Sequence, residues 1–325
     1  MADYSTLKGF TIQSLASDPP SPQEGQVWYN TTSTVLKGYG QQGTGAWASG
    51  NDLNTARNNM FGYGASSSAS SMAGGNVPPS SAKHEEYDGT SWAEAASIQT
   101  ARSTESRTGA GTQGAAVIYG GAAVVNTSES WNNTSWTSIT GFTTSRRASG
   151  GCGLSTAAIN FGGSTAPGAN DSALNEEWNG SSWSEKADLN TARYSGNGMG
   201  NATSALYVNG YVTSGSAYQQ IVESYNGTAW TEVNNTNSHH STGGGASNAS
   251  NTSSLVYGGT PPAKTNTEEW DGTCWTEVAD LATAIQNQGS AGTAMSAMSA
   301  GGPGGSAALT EVWAIPNATK TFTAS

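Results

Sequence analysis

Short apolar runs alternate with long stretches of small polar residues along most of this chain. The runs hold four to six residues, are rich in β-branched and aromatic side chains, and end at glycine. The clearest examples occupy residues 115–121, 157–163, 205–210 and 254–259. Apolar runs of this length that stop at a glycine predict buried β-strands rather than helices.

A pair of aromatic residues, five positions apart, recurs after the apolar runs. The pairs are Tyr87…Trp92, Trp131…Trp136, Trp178…Trp183, Tyr225…Trp230 and Trp270…Trp275, and Trp313 follows alone. From Trp92 onwards the second members lie 44, 47, 47 and 45 residues apart, and Trp47 precedes Trp92 by 45 residues. This period, with one aromatic hairpin per unit, indicates a β-propeller.

Each repeat unit divides into four predicted strands. A unit opens near a Thr-Ala-Arg sequence, and a Gly- and Ser-rich stretch follows as the first, innermost strand. The apolar run is the second strand, a Glu-containing segment with the first aromatic is the third, and the fourth begins at the second aromatic. Four of the five pairs enclose Asp-Gly or Asn-Gly, which favours a two-residue type I′ turn. Such a turn places Trp92 diagonal to Tyr87 across the hairpin.

This order of motifs resembles the kelch repeat over about residues 45–315. The resemblance implies an all-β, six-bladed kelch-like β-propeller built from four-stranded blades. The sixth unit opens at Ile285 and ends after its third strand at Trp313, so its fourth strand must come from elsewhere. Residues 46–48, around Trp47, can supply it from the other chain end. A seventh, partial blade that includes Leu36–Tyr39 is the alternative.

Residues 1–45 do not follow the repeat. Clustered prolines precede two strand-like runs, Gln26–Asn30 and Thr34–Tyr39, which predict a linker and a β-hairpin. The predicted domains are therefore 1–45 and a propeller of 46–325 closed by both chain ends. Residues 15–57 resemble the N-terminal part of kelch-like proteins from tailed bacteriophages, especially marine ones. The resemblance implies a virion protein, a tail fibre or adhesin, which residues 1–45 anchor to the particle.

Composition narrows the range of functions. The 325 residues are 11% charged with a formal net charge of −11, and binding along nucleic acid requires a basic surface, so we expect no nucleic-acid partner. No apolar run approaches the roughly 20 residues of a membrane span, and the first residues lack the apolar stretch of a signal peptide. Because the residue usage is typical of an extracellular surface, we expect a protein of the virion exterior, present in multiple copies.

The few reactive side chains do not form a site in the sequence. Cys152 and Cys274 fall at unrelated repeat positions, so we expect neither a disulfide nor a metal motif from them. His239 and His240 are adjacent, and adjacent side chains on a strand point to opposite faces, which argues against a shared metal. We therefore expect no catalytic residue, no metal ligand, no cofactor and no enzymatic activity.

Paired carboxylates also occur, and glycosidases use such pairs. The pairs start at Glu85, Glu176 and Glu268. They recur with the repeat, whereas a propeller has one active site, so we expect a structural role. One Glu of each pair is predicted to bind a Thr-Ala-Arg arginine between blades, and the other to face solvent. The arginines concerned are Arg57, Arg102, Arg146 and Arg193.

The loops before the third strands differ most between units, and divergent loops commonly carry function. They are Ala122–Thr127, Ser164–Leu174, Tyr211–Gln220 and Thr260–Thr265. The repeated Trp positions are expected to pack between blades, with an exposed ligand platform as the alternative. Two functions stay open: an adhesin that binds a host-surface glycan or protein, and a purely structural capsid or tail decoration. The acidic charge favours a neutral glycan or a protein as ligand.

Overall fold

The computed structural model describes residues 6–7, 10–104, 109–166, 170–259, 262–304 and 307–322, with side chains from residue 12 onwards. The chain forms two compact units, one of Ala46–Ala314 and one of Met1–Gly45 with Ile315–Ser325. In the described part every long element is a strand, and no helix there has the length and apolarity to cross a membrane.

The smaller unit contains a two-stranded ribbon and a four-stranded sheet. The strands are β1 (Thr6–Leu7), β2 (Phe10–Thr11), β3 (Gln13–Leu15), β4 (Val27–Asn30), β5 (Val35–Gln41) and, from the far end of the chain, β30 (Asn317–Phe322). The sheet order is β3-β4-β5-β30, with β3 parallel to β4 and the other pairs antiparallel. The predicted hairpin is β4–β5. The strand that the alternative placed in a seventh blade is β5, which belongs to this sheet.

The C-terminal boundary of the predicted propeller is wrong. The sequence predicts that residues 315–325 belong to the ring, whereas β30 pairs along its whole length with β5, from Asn317 opposite Gln41 to Phe322 opposite Leu36. A single strand of polar residues carries no repeat signal, so its partner is decided by pairing in three dimensions.

The described residues of the larger unit form six four-stranded antiparallel sheets. Five are continuous in sequence, and we call them blades one to five in chain order. Blade one contains β7 (Phe61–Ser66), β8 (Ala69–Ala73), β9 (His84–Tyr87) and β10 (Trp92–Ala95); blade two contains β11 (Gly109–Thr112), β12 (Ala115–Tyr119), β13 (Ser128–Trp131) and β14 (Trp136–Ile139); blade three contains β15 (Gly150–Leu154), β16 (Ala157–Phe161), β17 (Asn175–Trp178) and β18 (Trp183–Lys186). Blade four contains β19 (Asn197–Asn201), β20 (Ser204–Val212), β21 (Ala217–Tyr225) and β22 (Trp230–Val233); blade five contains β23 (Gly244–Gly245), β24 (Ser254–Tyr257), β25 (Thr267–Trp270) and β26 (Trp275–Glu277).

Blade six is split between distant parts of the chain, as the sequence predicts. It contains β27 (Gly289–Thr293), β28 (Ser296–Ala300), β29 (Thr310–Ala314) and β6 (Ala46–Ser49). Trp313 on β29 lies opposite Trp47 on β6. The first strands β7, β11, β15, β19, β23 and β27 contact one another in that order, and β27 also contacts β7. The ring is therefore a closed six-bladed β-propeller.

Close approach of the innermost strands explains their glycine content. A Cβ on Gly62 would lie 2.1 Å from the carbonyl oxygen of Ser290 in the neighbouring blade. A Cβ on Gly198 would lie 2.3 Å from the backbone nitrogen of Gly151. Larger residues at these positions would push the blades apart. The glycine-rich strands that the sequence predicts are therefore the innermost strands, where the blades come closest around the ring axis.

Aromatic clusters fill the space between neighbouring blades. Trp131 and Trp136 of blade two, for example, pack with Phe61 and Tyr63 of blade one. The equivalent clusters join the other neighbouring blades around the ring. The Trp that starts each fourth strand is at most 8% exposed in blades one to five. The repeated Trp positions are therefore packing positions rather than a ligand platform.

The hairpin between the third and fourth strands differs from its prediction. Tyr87 lies directly opposite Trp92, so a four-residue loop replaces the two-residue type I′ turn. Asp88 Oδ1 accepts hydrogen bonds from the backbone nitrogens of Thr90 at 2.8 Å and Ser91 at 2.7 Å. These hydrogen bonds from the side chain stabilise the longer loop. Asp and Asn are favoured at this position because their side chains can accept hydrogen bonds from the backbone nitrogens that follow.

Candidate functional site

The two faces of the ring carry different segments, as the up-and-down order of the strands requires. The hairpin face carries the first-to-second-strand turns and the third-to-fourth-strand hairpins. The loop face carries the second-to-third-strand loops and the connectors between blades. The chain joins the ring on the hairpin face, where β29 ends at Ala314 and β6 begins at Ala46. The variable loops therefore lie on the face away from that junction.

Backbone hydrogen bonds hold one of the four predicted variable loops, and two others include residues outside the described ranges. In Ala122–Thr127, the backbone of Ala122 donates to Ser103 O at 2.7 Å, and Val125 O accepts from Arg146 N at 3.2 Å. Residues 167–169 of Ser164–Leu174 and 260–261 of Thr260–Thr265 lie outside the described residues. The fourth predicted loop, Tyr211–Gln220, has the most distinctive structure.

Tyr211–Gln220 is the end of an extended hairpin. Strands β20 and β21 have nine residues each, whereas the corresponding strands β12 and β13 of blade two have five and four. A 3₁₀ turn at Thr213–Gly215 joins them. Asp171, from the preceding blade, holds this turn: Oδ2 accepts from Thr213 N at 2.7 Å, and Oδ1 accepts from Thr213 Oγ1 at 2.6 Å. The hairpin is therefore ordered by a contact from a second variable loop.

Four aromatic rings meet at this hairpin, and we call them the tyrosine cluster: Tyr194, Tyr211, Tyr218 and His239. The rings of Tyr194 and Tyr211 have centroids 5.4 Å apart, and those of Tyr211 and Tyr218 are 5.0 Å apart, both edge to face. The Tyr218 and His239 centroids are 6.4 Å apart. Edge-to-face packing is the favourable arrangement of aromatic rings, so the cluster holds its own geometry.

Partial exposure distinguishes these tyrosines from the others in the ring. The six other tyrosines of residues 46–314 are at most 2% exposed. They are Tyr63, Tyr87, Tyr119, Tyr207, Tyr225 and Tyr257. Tyr194, Tyr211 and Tyr218 are half-buried. Aromatic surface that is not used to pack blades is thus gathered at one place on the loop face.

The pKa shifts of Tyr194, Tyr218 and His239 favour the uncharged form of each ring near pH 7. Partial burial raises the pKa of Tyr194 and of Tyr218 above the ordinary tyrosine value, so both hydroxyls keep their protons. Partial burial, followed by the nearby charge of Lys264, lowers the pKa of His239. Lys264 itself donates from Nζ to His239 O at 3.1 Å. The cluster therefore presents uncharged rings and hydroxyls.

The first Glu of each predicted pair is buried and engaged in hydrogen bonds, which favours a structural role. Glu176 is 1% exposed and accepts from Arg146 Nη1 at 2.6 Å, from Thr143 N at 2.6 Å and from Thr144 N at 3.3 Å. Arg146 and both backbone donors belong to the connector that enters blade three, and Glu176 lies on the third strand of that blade. The predicted pairing is thus found, but within one blade rather than between blades.

The same pair recurs around the ring with one looser copy. Arg57 binds Glu85 at 2.8 Å, and Arg193 binds Glu223. Arg102 Nη2 lies 3.3 Å from Glu129 and has no hydrogen-bond partner among the described residues, while its Nη1 donates to Thr127 Oγ1 at 2.8 Å. A cavity of about 190 Å³ adjoins this pair. The Arg102 copy is therefore less tightly packed than the others.

The two adjacent histidines lie in different environments. His240 is fully buried and takes the arginine position in blade five: Nε2 lies 2.9 Å from Glu268 Oε1 and Nδ1 lies 2.7 Å from Gly258 O. His239 belongs to the tyrosine cluster. Neither cysteine forms a disulfide; Cys152 is buried and Cys274 exposed.

One side chain crosses the axis of the ring at the hairpin face. Asn248, which follows the first strand of blade five, donates from Nδ2 to the carbonyl oxygen of Gly111 in blade two at 3.0 Å. Its backbone nitrogen donates to Gly292 O of blade six at 2.8 Å. Blades two and five face each other across a ring of six, so this side chain spans the axis at that end.

The sequence does not predict any member of the tyrosine cluster as a ligand-binding residue. Tyr211 and Tyr218 fall within one of the predicted variable loops, whereas Tyr194 and His239 lie outside these loops. One signal could have revealed Tyr194. The residue after the Thr-Ala-Arg arginine is polar in the first three units, at Asn58, Ser103 and Arg147, and aromatic only in the fourth.

Comparison with known proteins supports the fold. No protein-family model matches the chain, and no curated protein matches it. A solved structure of YjhT is similar, with a TM-score of 0.64 and 14% sequence identity over 80% of this chain and 95% of that chain. At this identity the likeness shows the fold alone. By its own topology and by this likeness, the chain is a β-propeller protein.

Proposed function

We propose that this chain is a bacteriophage virion protein, a tail-fibre component that attaches the particle to the host cell surface through the loop face. The observation that carries the proposal is the distribution of variation around the ring. The repeated positions are used for packing and ion pairs, while the divergent second-to-third-strand loops collect on one face, away from the chain junction. Divergent loops on a rigid scaffold are typical of binding surfaces.

The smaller unit is the proposed attachment to other virion proteins. It combines the N-terminal segment that resembles phage proteins with β30 from the far end of the chain. A unit that collects both chain ends can hold the ring at two covalent links. This arrangement suits a protein that must carry load between a particle and a cell surface.

Binding through the loop face is expected to be weak for one copy and strong for many. Several copies on one virion raise the effective concentration for each further contact. The net charge of −11 disfavours an acidic polysaccharide as ligand, since like charges repel. A neutral glycan or an outer-surface protein fits better.

Adsorption to cells tests the proposal. Biotinylated full-length protein, multimerised on fluorescent streptavidin, is expected to label cells of the phage's host, and intact phage should compete with it. A matched control is the same assay on a strain that the phage does not infect. If the multimer fails to label host cells, the alternative of a purely structural capsid or tail decoration is favoured, and gold labelling of intact particles would then locate the protein.

A further inference from the structure

The tyrosine cluster combines apolar ring surface with neutral hydrogen-bonding groups. The hydroxyls of Tyr211 and Tyr218 form no hydrogen bond with any residue that the structure describes. Gln219 and Gln220 follow directly, and the turn residues Ser214–Ser216 are exposed. A sugar ring has an apolar C–H face and a rim of hydroxyls, so its recognition needs both kinds of group. Tyr supplies both in one side chain.

The cluster is also fixed before any ligand arrives. Tyr211 pairs across the hairpin with Tyr218, and Asp171 holds the turn at Thr213 through two hydrogen bonds. Gln220 Nε2 donates to Asn237 O at 2.7 Å, which links the hairpin to the next connector. A site that is already ordered loses little conformational entropy on binding.

Charge and size favour one class of ligand. The charged groups near the cluster are Asp171, Arg147 and Lys264, of both signs, and Asp171 and Lys264 are engaged in hydrogen bonds. Four rings linked by centroid distances of 5.4, 5.0 and 6.4 Å form a small platform. A stable protein partner would cover about 800 Å² on each side, which is far more than these rings present.

We infer that the tyrosine cluster binds a neutral glycan of the host surface. The inference rests on the proposed function, because it names the ligand class and the site within the loop face. The rings of Tyr211 and Tyr218 would stack on the C–H faces of sugar units, and their hydroxyls with the neighbouring glutamines would bind the sugar hydroxyls.

The test compares adsorption of full-length variants to host cells. Tyr211→Ala and Tyr218→Ala should each weaken adsorption of the multimer at least tenfold, while Tyr211→Phe should retain most of it because the ring remains. Leu154→Ser is the matched control, since Leu154 is 48% exposed and lies at a first-to-second-strand turn on the hairpin face. Equal unfolding midpoints will show that the variants fold. Adsorption of both alanine variants at the wild-type level would overturn the inference.

Treatment of the cells identifies the ligand class. Periodate, which cleaves the vicinal diols of sugars, should abolish wild-type adsorption, and proteinase should leave it intact. Host polysaccharide that passes an anion-exchange column should compete, whereas the retained acidic fraction should not. The opposite result with periodate and proteinase, or competition by the acidic fraction alone, contradicts a neutral glycan.

A direct binding assay separates this inference from the proposed function. Beads carrying the neutral polysaccharide fraction should retain wild-type protein and release the Tyr211→Ala variant. If the protein labels no cells but binds the beads in this Tyr-dependent way, the attachment function fails and the glycan site stands. If it labels cells and the beads retain nothing, the attachment function stands and the glycan site is wrong.

Discussion

At the scale of single residues, buried carboxylates organise the start of each blade. Glu176 and its counterparts accept hydrogen bonds from two backbone nitrogens of a connector and, in blades one to four, lie beside an arginine. Blade six keeps the Glu and the backbone bonds, through Glu311 with Ala282 and Thr283, although Ile285 replaces the arginine. The bonds to the connector are therefore the constant part of the motif, and the arginine is added to it.

Removing a tightly held arginine should be costly. Arg146→Ala leaves Glu176 buried without its counter-charge, which typically costs about 3–5 kcal/mol of unfolding free energy. Arg102→Ala should cost less, because Arg102 is the loosely bonded copy beside a cavity. Glu177→Gln is the control, since Glu177 is half-buried and, among the described residues, its ion pair is with the partly exposed Lys186 at 3.3 Å. Urea unfolding measures all three, and equal losses for the two arginine variants would contradict this ranking.

Stability should fall between pH 7.5 and pH 5 because of His84. Burial lowers the pKa of His84 from 6.5 to about 4, and its Nε2 lies 2.7 Å from the Tyr63 hydroxyl. Between pH 6.5 and about pH 4, His84 binds a proton in the unfolded chain but not in the folded one. Lowering the pH through this range therefore favours unfolding. The expected loss is about 2 kcal/mol by pH 5. His84→Gln should remove this component, and an identical pH dependence in the variant would show that another group is responsible.

At the scale of elements, ring closure depends on one short strand from the other end of the chain. β6 has four residues, and it covers the edge of β29 with Trp47 opposite Trp313. Trp47 also lies edge to face with Tyr257 of blade five, at a centroid distance of 4.7 Å. The strand thus completes blade six and its packing on blade five.

Two truncations separate closure from the smaller unit. A chain of residues 46–314 keeps β6 and should stay folded and monomeric. A chain of residues 51–314 loses β6 and leaves the edge of β29 open, so it should melt at a lower temperature and self-associate through that edge. Thermal melting and light scattering compare the two. Equal melting of both chains would show that β6 does not close the ring.

At the scale of the whole molecule, the ring separates the positions that pack from the positions that vary. Six inter-blade clusters hold the blades together, and the loop face carries the variation. Because packing positions lie within the ring, segments on the loop face can lengthen, as the β20–β21 hairpin does, without loss of the core. This separation is the physical basis for proposing a binding function on this scaffold.

Adsorption to host cells should change little with salt if the ligand is neutral. Charge attraction between partners is screened within about 8–10 Å at physiological salt, so raising sodium chloride from low to physiological concentration would weaken binding to a basic ligand. The same change would strengthen binding to an acidic one, because the chain carries a net charge of −11. Measuring multimer adsorption across this range distinguishes the three cases, and a strong dependence in either direction contradicts a neutral ligand.

The sequence alone determined the fold of the ring. Each unit repeats a glycine-rich strand, an apolar strand and an aromatic hairpin, and these constraints are local, so they are visible along the chain. The split blade was predictable for the same reason, because the sixth unit lacks a fourth strand and Trp47 stands in register. The hairpin turns were not, since Asp88 and its equivalents choose the loop through their own side-chain hydrogen bonds.

Two features were decided only by the tertiary structure: the strand with which β30 pairs, and the assembly of the tyrosine cluster. β30 is a polar strand with no repeat signal, and its place in the smaller unit comes from pairing with a strand nearly the whole chain length away. Tyr194 and His239 come from two connectors and meet Tyr211 and Tyr218 because the ring brings blade four and its neighbour together. Periodicity identifies positions that every unit shares, whereas the tyrosine cluster is made of positions at which one unit differs from the others.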